Sequence, residues 1–514
     1  MSRPSPLLAR WRGLADSPRV AVVDVGPGGA DAESSHSFRA IDVRAHRVAS
    51  VLLSGKGGHA RASLDGARVA VLVSPGAAWL EAFYGVLLAG GCVVVLSPLH
   101  PAPETAYFLE DSGAETLIVS PDLEARVAPL SSGRTILRTD DLRAATVGSF
   151  TPAALAEDAA LQLYTSGTTG KPKGAVITHD NLAVQQALLG AAWGWNEHDT
   201  LVHALPLHHL HGLGIALLTA LGAGAAARMH PHFDAVAVWE SMASATVFMA
   251  VPTMYTRLFA AFDAADAATR DRWSRAAAKL RLATSGSAAL PVTVGDRWKA
   301  ITGRYPLERF GMTEIGVGMT NPLDGERRPG TVGLPLPSVE ARIVGDDGHD
   351  AASGELWIRG PSVFSGYHGK DDATKDAFVD GTGSLAWFRT GDTVTRDAAG
   401  YFKILGRTSV DILKSGGYKL SALEIEEVRR EHAAVAEVAV VGMPDEAWGD
   451  RVVACVIPRA GQEALCTEDL LRAFCKERLA SYKVPKQIVL VADLPRNAVG
   501  KVVKPELVKR LTRP

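Results

Sequence analysis

Residues 164–174 read Tyr164-Thr165-Ser166-Gly167-Thr168-Thr169-Gly170-Lys171-Pro172-Lys173-Gly174. Glycines, hydroxyls and two lysines in so short a run are the chemistry of a loop that wraps phosphate oxygens with backbone N–H groups and cations. It is not a Walker loop, in which the lysine opens a helix, because Pro172 follows Lys171 and bars that helix. A second group, His208, His209 and His211, invites a metal reading. His208 and His209 are adjacent and point apart in regular structure, and no cysteine or carboxylate pair is near, so a polar wall for a substrate pocket or plain structural histidines compete with it. Ser285-Gly286-Ser287 follows a short apolar run, and hydroxyls around a glycine at a strand end suit a ligand contact.

The elements that must hold these residues follow from periodicity. Apolar runs at 159–164 and 175–178 make the glycine-rich stretch a turn between two strands. Upstream, residues 68–73 form a β-branched run closed by Ser74-Pro75-Gly76, and Trp79, Phe83 and Val86 then share one helical face. Strand-like 92–96, helix-like 106–111 and strand-like 116–119 continue a βαβαβ rhythm, which predicts a parallel sheet covered by helices with ligands beyond the carboxyl ends of its strands. Further strands are expected at 201–205, 246–251, 282–284 and 307–310, with a small-residue helix up to Ala220 and another helix over 254–262. From Val339 the texture becomes short strands with regular turns, a small β subdomain. Ser421 and Glu424 predict a capping box, 435–441 and 452–457 read as strands, and Thr467 caps a helix with Leu470, Leu471 and Phe474 along one side. The fold class is therefore α/β: a large N-terminal domain of parallel-rich sheets with covering helices and a β subdomain (1–405), a hinge (406–411), and a small mobile α+β C-terminal domain (412–514).

Composition agrees. A chain of 514 residues is too long for one ordinary core. A formal net charge of −2 argues against a nucleic-acid surface, and no stretch approaches the roughly 20 apolar residues of a membrane span. Arg3, Arg10 and Arg12 are not followed by an apolar segment, so no signal peptide is read, and Cys92, Cys455, Cys466 and Cys475 are too scattered for a metal site. Reduced thiols and a cytoplasmic location are the expectation.

In order along the chain, YTSGTTGKPKG (164–174), RFGMTE (309–314), FRTGD (388–392), LGRTSVDILKSGG (405–417) and PRNAVGK (495–501) resemble the acyl-CoA synthetase, or adenylate-forming, superfamily over nearly the whole length. That resemblance implies an active site between the two domains and two half-reactions. A carboxylate and ATP give an acyl-adenylate and pyrophosphate, and coenzyme A then displaces AMP. It implies a nucleotide site of Thr165, Ser166, Gly167, Thr168, Thr169, Gly170, Lys171, Lys173, Ser285, Gly286, Glu308, Arg309, Phe310, Gly311, Met312, Thr313, Asp392, Arg407 and Lys501. Asp392 and Arg407 would hold the ribose and Phe310 would offer adenine a flat face. Glu314 and Thr168 would hold Mg²⁺, a hard cation that prefers oxygen. Lys501 would bridge the carboxylate and the α-phosphate, so Lys501, Thr168, Glu314 and His209 are the catalytic candidates. Lys414, Ser415, Gly416 and Gly417 would admit coenzyme A after a rotation about Ser409 or Val410.

The acid is read from fewer residues. Arg257 lies on the helix after the strand at 246–251, and a guanidinium there can grip a second carboxylate through two parallel hydrogen bonds. His209, Ser285 and Ser287 are the other substrate candidates, and the whole pattern, including His208-His209-Leu210-His211-Gly212, Ser285-Gly286-Ser287 and Gly325-Glu326-Arg327-Arg328-Pro329-Gly330, resembles malonyl-CoA synthetases, which implies malonate, with methylmalonate a poorer substrate. A short- or medium-chain fatty acid or an aryl acid is the rival substrate, and a nucleotide-binding protein without catalysis is the rival class.

Overall fold

The computed structural model describes residues 3–26, 29–54, 61–165, 171–416, 418–446, 448–496 and 501–512. Its N-terminal part is built on two large sheets. In the first, Ala159–Thr165, Cys92–Val95, Arg68–Leu72, Thr116–Val119 and Thr135–Arg138 run parallel in that order. Lys173–Thr178 joins the edge antiparallel to Ala159–Thr165, as the flanking apolar runs require. The second sheet has the parallel core Leu307–Met312, Leu282–Ser285, Val247–Ala250, Thr200–His203, Ala226–Met229 and Val20–Gly26. Strands buried on both faces read as continuous apolar runs, which is why Cys92–Val95 and Val247–Ala250 are legible without alternation.

Helices cover both sheets. Ala77–Leu88 is almost wholly buried, and Phe38–Ser54 packs against it with Phe38, Ile41, Ala45, Val48, Ala49 and Leu52 inward. The small-residue segment after His209 departs from expectation: His211–Leu218 is a wider π-helical turn, a form that recurs at functional sites. The expected β subdomain is an antiparallel sheet of Glu340–Val344, Ser353–Arg359, Trp387–Arg396, Phe378–Val379 and Phe402–Arg407.

The largest apolar core runs from Leu7 to Phe402, and other cores span Leu413 to Ile488 and Ala439 to Leu507. The last two sandwich a sheet of Tyr418–Ser421, Ile412–Ser415, Gly449–Pro458, Val435–Asp445 and Gln487–Leu490 between Ala422–Arg430, Glu468–Lys476 and Lys504–Thr512. Only half of the capping box at Ser421 forms. Ser421 Oγ accepts the Glu424 N–H, but the Glu424 carboxylate turns to Lys483 Nζ at 2.7 Å instead of back to the cap. The helix capped by Thr467 buries Leu471 and Cys475, while Leu470 faces solvent.

Candidate active site

The strands Ala159–Thr165 and Lys173–Thr178 hold the two ends of the glycine-rich loop, with Thr165 opposite Lys173. Ser166, Gly167, Thr168, Thr169 and Gly170 lie outside the described residues, as does Gly417. The loop's lysines rest on tyrosine faces: Lys171 Nζ is 5.2 Å from the Tyr107 ring centre and Lys173 Nζ 4.9 Å from that of Tyr367. Both rings are anchored. The Tyr107 hydroxyl donates to the Pro172 carbonyl and the Tyr367 hydroxyl to Glu314 Oε1, each at 2.9 Å. No sequence motif marks either tyrosine, because each reaches the loop from a distant element.

Glu314 is buried, and burial raises its pKa above the ordinary carboxylate value, against hydrogen bonds from Tyr367 and Thr165 and the charge of Arg407. An acidic oxygen in the company of two hydroxyls suits a hard divalent cation, which would also relieve the cost of ionising Glu314 there.

Asp392 and Arg407 face each other across paired strands, with Arg407 Nε 3.2 Å from Asp392 Oδ1. Burial pushes the Asp392 pKa up to about 6, opposed by the charges of Arg407 and Lys501. Arg407 is oriented by the Thr390 carbonyl at 2.6 Å, and its N–H donates to Asp411 Oδ2 at 3.0 Å. Lys501 joins them from the far end of the chain. Loss of hydration lowers its pKa, aided by Arg407 and opposed by Asp392. Its charge also reaches His209, whose pKa is pushed down to about 4 chiefly by burial.

A group of buried polar side chains lies beside this cluster. Arg309, on Leu307–Met312, passes so close over Gly286 that a Cβ there would stand 2.3 Å from Arg309 Cζ. Arg309 is 4% exposed, and its Nε and Nη2 have no hydrogen-bond partner among the described residues. Burial brings its pKa down to about 9. Next to it His211 Nδ1 meets Ser287 Oγ at 3.0 Å, and burial with the Arg309 charge holds His211 well below its ordinary value. Ser285 Oγ is likewise buried without a partner among the described residues. Buried groups left unpaired are costly, so Arg309 and Ser285 mark a place for an anionic, hydrogen-bonding ligand.

Arg257 is not brought into this cluster. It is exposed, its guanidinium stacks 4.6 Å from the Phe233 ring centre, and Nη2 donates to the Phe233 carbonyl at 3.3 Å. The buried arginine of this cluster is Arg309, which the sequence pattern groups with the nucleotide contacts. Glu308 is buried beside it with a pKa pushed up to about 8, and accepts the Gly330 N–H at 2.8 Å. Phe310 and Met312 pack partly buried against the main core, and Gly311 sits where a Cβ would stand 2.1 Å from the Gly316 carbonyl oxygen. Thr313 and Glu314 lie in the turn between Leu307–Met312 and its antiparallel partner Gly316–Thr320.

The turn of Lys414, Ser415 and Gly416 stands near Asp346, whose carboxylate bonds Lys419 and feels Lys414. Around it are exposed rings: Tyr418 stacks on Tyr482 at 4.3 Å, and Lys486 Nζ lies 4.1 Å over Trp448.

The chain matches the family model "AMP-binding enzyme" over residues 11–368 and "AMP-binding enzyme C-terminal domain" over residues 424–501. It belongs to that family, as an AMP-forming acyl-CoA synthetase. It is 39% identical to "Malonate–CoA ligase ACSF3, mitochondrial" of Mus musculus, over 97% of this chain and 90% of that protein. It is 38% identical to the malonate–CoA ligase of Arabidopsis thaliana, over 87% of this chain and 79% of that one. The crystal structure of ATP-bound MatB from Rhodopseudomonas palustris covers 99% of both chains at 34% identity, with a TM-score of 0.88. Among the described residues no helix is long and apolar enough to cross a membrane.

Proposed function

We propose that this enzyme joins malonate to coenzyme A through malonyl-AMP, consuming ATP and releasing pyrophosphate and AMP. The observation that carries the choice of acid is the buried Arg309 guanidinium, whose Nε and Nη2 have no partner among the described residues, beside His211 and Ser287, in a chain whose relatives include malonate–CoA ligases. A neutral acid would leave that charge uncompensated, and a dicarboxylate pairs it.

Residue roles follow from charge and reach. A malonate carboxylate oxygen attacks the α-phosphorus, and the bond to the pyrophosphate oxygen breaks. Lys501 neutralises the two anions that must approach, and its lowered pKa reflects the dry, cationic place in which it does so. Thr165 to Lys173 receive the departing phosphates, with Lys171 and Lys173 leaving their tyrosine faces for stronger partners. Glu314 and Thr168 are assigned to Mg²⁺, which when bound supplies charge neutralisation on the triphosphate. Asp392 and Arg407 take the ribose, and Phe310, Glu308, Ser285 and Gly286 the purine side. His209, neutral at physiological pH, hydrogen-bonds the acid without adding charge. In the second step the thiol sulfur of coenzyme A attacks the acyl carbon, its proton passes to solvent, and the bond from the acyl carbon to the phosphate oxygen breaks to release AMP. Residues 406–411 are the proposed hinge for admitting it, and Lys414, Ser415 and Gly416 its path, with the exposed rings of Tyr418, Tyr482 and Trp448 as stacking surfaces for its base.

The test is an acid panel of malonate, methylmalonate, short- and medium-chain fatty acids and aryl acids, read by ATP–pyrophosphate exchange and CoA thioester formation. Malonate should lead and methylmalonate follow; a monoacid in first place refutes the assignment. A cytoplasmic location is part of the proposal, and cell fractionation checks it against the mitochondrial label of the mouse relative.

A further inference from the structure

We propose that Glu427 is a positioning residue for the adenylation half-reaction, docking the helix Ala422–Arg430 on the N-terminal part so that Lys501 is seated against Asp392 and Arg407. The inference rests on the reading of Lys501 given above.

The helix Val292–Thr302 begins after Pro291, which has no side-chain donor or acceptor with which to cap it. The first N–H groups of a helix have no intrahelical partner and favour negative charge. Glu427, more than a hundred residues away in sequence, fills that place: its Oε1 accepts the Val292 N–H at 2.7 Å. Arg430 Nη1 holds the other carboxylate oxygen at 3.2 Å, so the side chain is aimed from both ends.

The neighbouring residue on the same helix turns the other way. Glu426 Oε1 lies 2.7 Å from Lys504 Nζ, and Lys504 also reaches Asp411 Oδ1 at 2.5 Å. Lys504 is buried and three residues beyond Lys501. One helix therefore grips the main body with Glu427 and the catalytic tail with Glu426. The pair Lys419 and Asp346 also joins the two parts, but both of its side chains are largely exposed, and exposed pairs contribute little. Loss of the Glu427 bond should leave Lys501 less often in place, while thioester formation, which does not need Lys501 there, is untouched.

Two variants remove the bond from opposite sides. Glu427→Leu keeps a similar side-chain length and removes the acceptor, which a glutamine amide oxygen would still supply. Val292→Pro removes the donor N–H at the first helical position, where proline is tolerated, and Pro291 already has φ −57 and ψ 135, the extended conformation that a residue before proline adopts. A charge-assisted hydrogen bond is worth about a tenfold shift or more in an equilibrium, so each variant should lower malonate-dependent ATP–pyrophosphate exchange about tenfold. The double variant should fall no further than either single one. Thioester formation from supplied malonyl-AMP and the thermal midpoint should be unchanged. Normal exchange in both variants, equal loss in both half-reactions, or effects that multiply in the double variant would overturn the proposal. Lys501→Ala is run beside them. Lost exchange there with normal exchange in the Glu427 and Val292 variants refutes the docking role alone, whereas normal exchange in Lys501→Ala refutes the underlying reading of Lys501 and the docking role with it.

Discussion

Replacing Arg309 by methionine should make the protein more stable and a worse malonate ligase. Burial holds the guanidinium at about 9 rather than its ordinary value. At about 1.4 kcal/mol for each pKa unit, that gap makes the charged form roughly 5 kcal/mol worse off than in water. Methionine has a similar length, no charge and no unmet donors, and replacing buried charge by apolar atoms commonly stabilises by about 1–4 kcal/mol. The same change removes the group proposed to meet the second carboxylate. Two charge-assisted hydrogen bonds at about 1.5–3 kcal/mol each are at stake, so kcat/KM for malonate should fall by about a hundredfold or more. Butyrate, which needs no such partner, should lose little. Thermal melts and CoA thioester formation with the two acids read both signs. A destabilised variant that loses both acids equally would falsify the assignment, since Arg309 would then be a structural arginine. Arg257→Ala, at an exposed site stacked on Phe233, should cost malonate less than Arg309→Met does.

Asp392, with its pKa held up at about 6, should bind the ATP ribose only when ionised, so KM for ATP should rise as pH falls through about 6, and Asp392→Asn should bind weakly without that dependence. Folding has the opposite sign: a carboxyl raised above its unfolded value takes up a proton on folding between about 6 and 4, so the unliganded protein should gain stability there as ATP affinity is lost, a trend that pH-dependent melts of Asp392→Asn should lack. Gly286→Ala places a Cβ 2.3 Å from Arg309 Cζ and should raise KM for malonate by displacing the guanidinium and, since Gly286 also lines the purine side, KM for ATP as well; a normal KM for malonate refutes the role of this close approach. Glu314→Gln removes a carboxylate whose pKa burial raises, so it should fold at least as stably, yet require more Mg²⁺ for ATP–pyrophosphate exchange; an unchanged Mg²⁺ titration refutes its role at the metal.

Much of the frame was legible because its cause is local. Buried parallel strands announce themselves as β-branched runs, and the antiparallel pair around the glycine-rich loop follows from two such runs with a turn between them. Other local signals went further than the structure does. Ser421 and Glu424 have the spacing of a capping box, but Lys483 offers Glu424 a charged partner, and that wins over a return to the cap. The segment after His209 has helical composition, yet it widens into a π turn as it packs beneath the strand of His203, whose Nε2 meets the Gly212 carbonyl at 2.9 Å.

What the sequence by itself determined is the reaction class: ordered motifs carry a phosphate loop, an isolated carboxylate, a ribose pair and a distal lysine, each defined by residue type and neighbours. Which arginine is desolvated was decided only by the tertiary structure. Arg257 and Arg309 are equally charged letters in a chain, but the pKa of a guanidinium depends on the water it loses. That loss is set by Gly286, His211 and the packed strands around Arg309, which come together only when the second sheet closes. The docking of Glu427 on Val292 is of the same kind, a contact between positions whose separation in sequence carries no information about their distance.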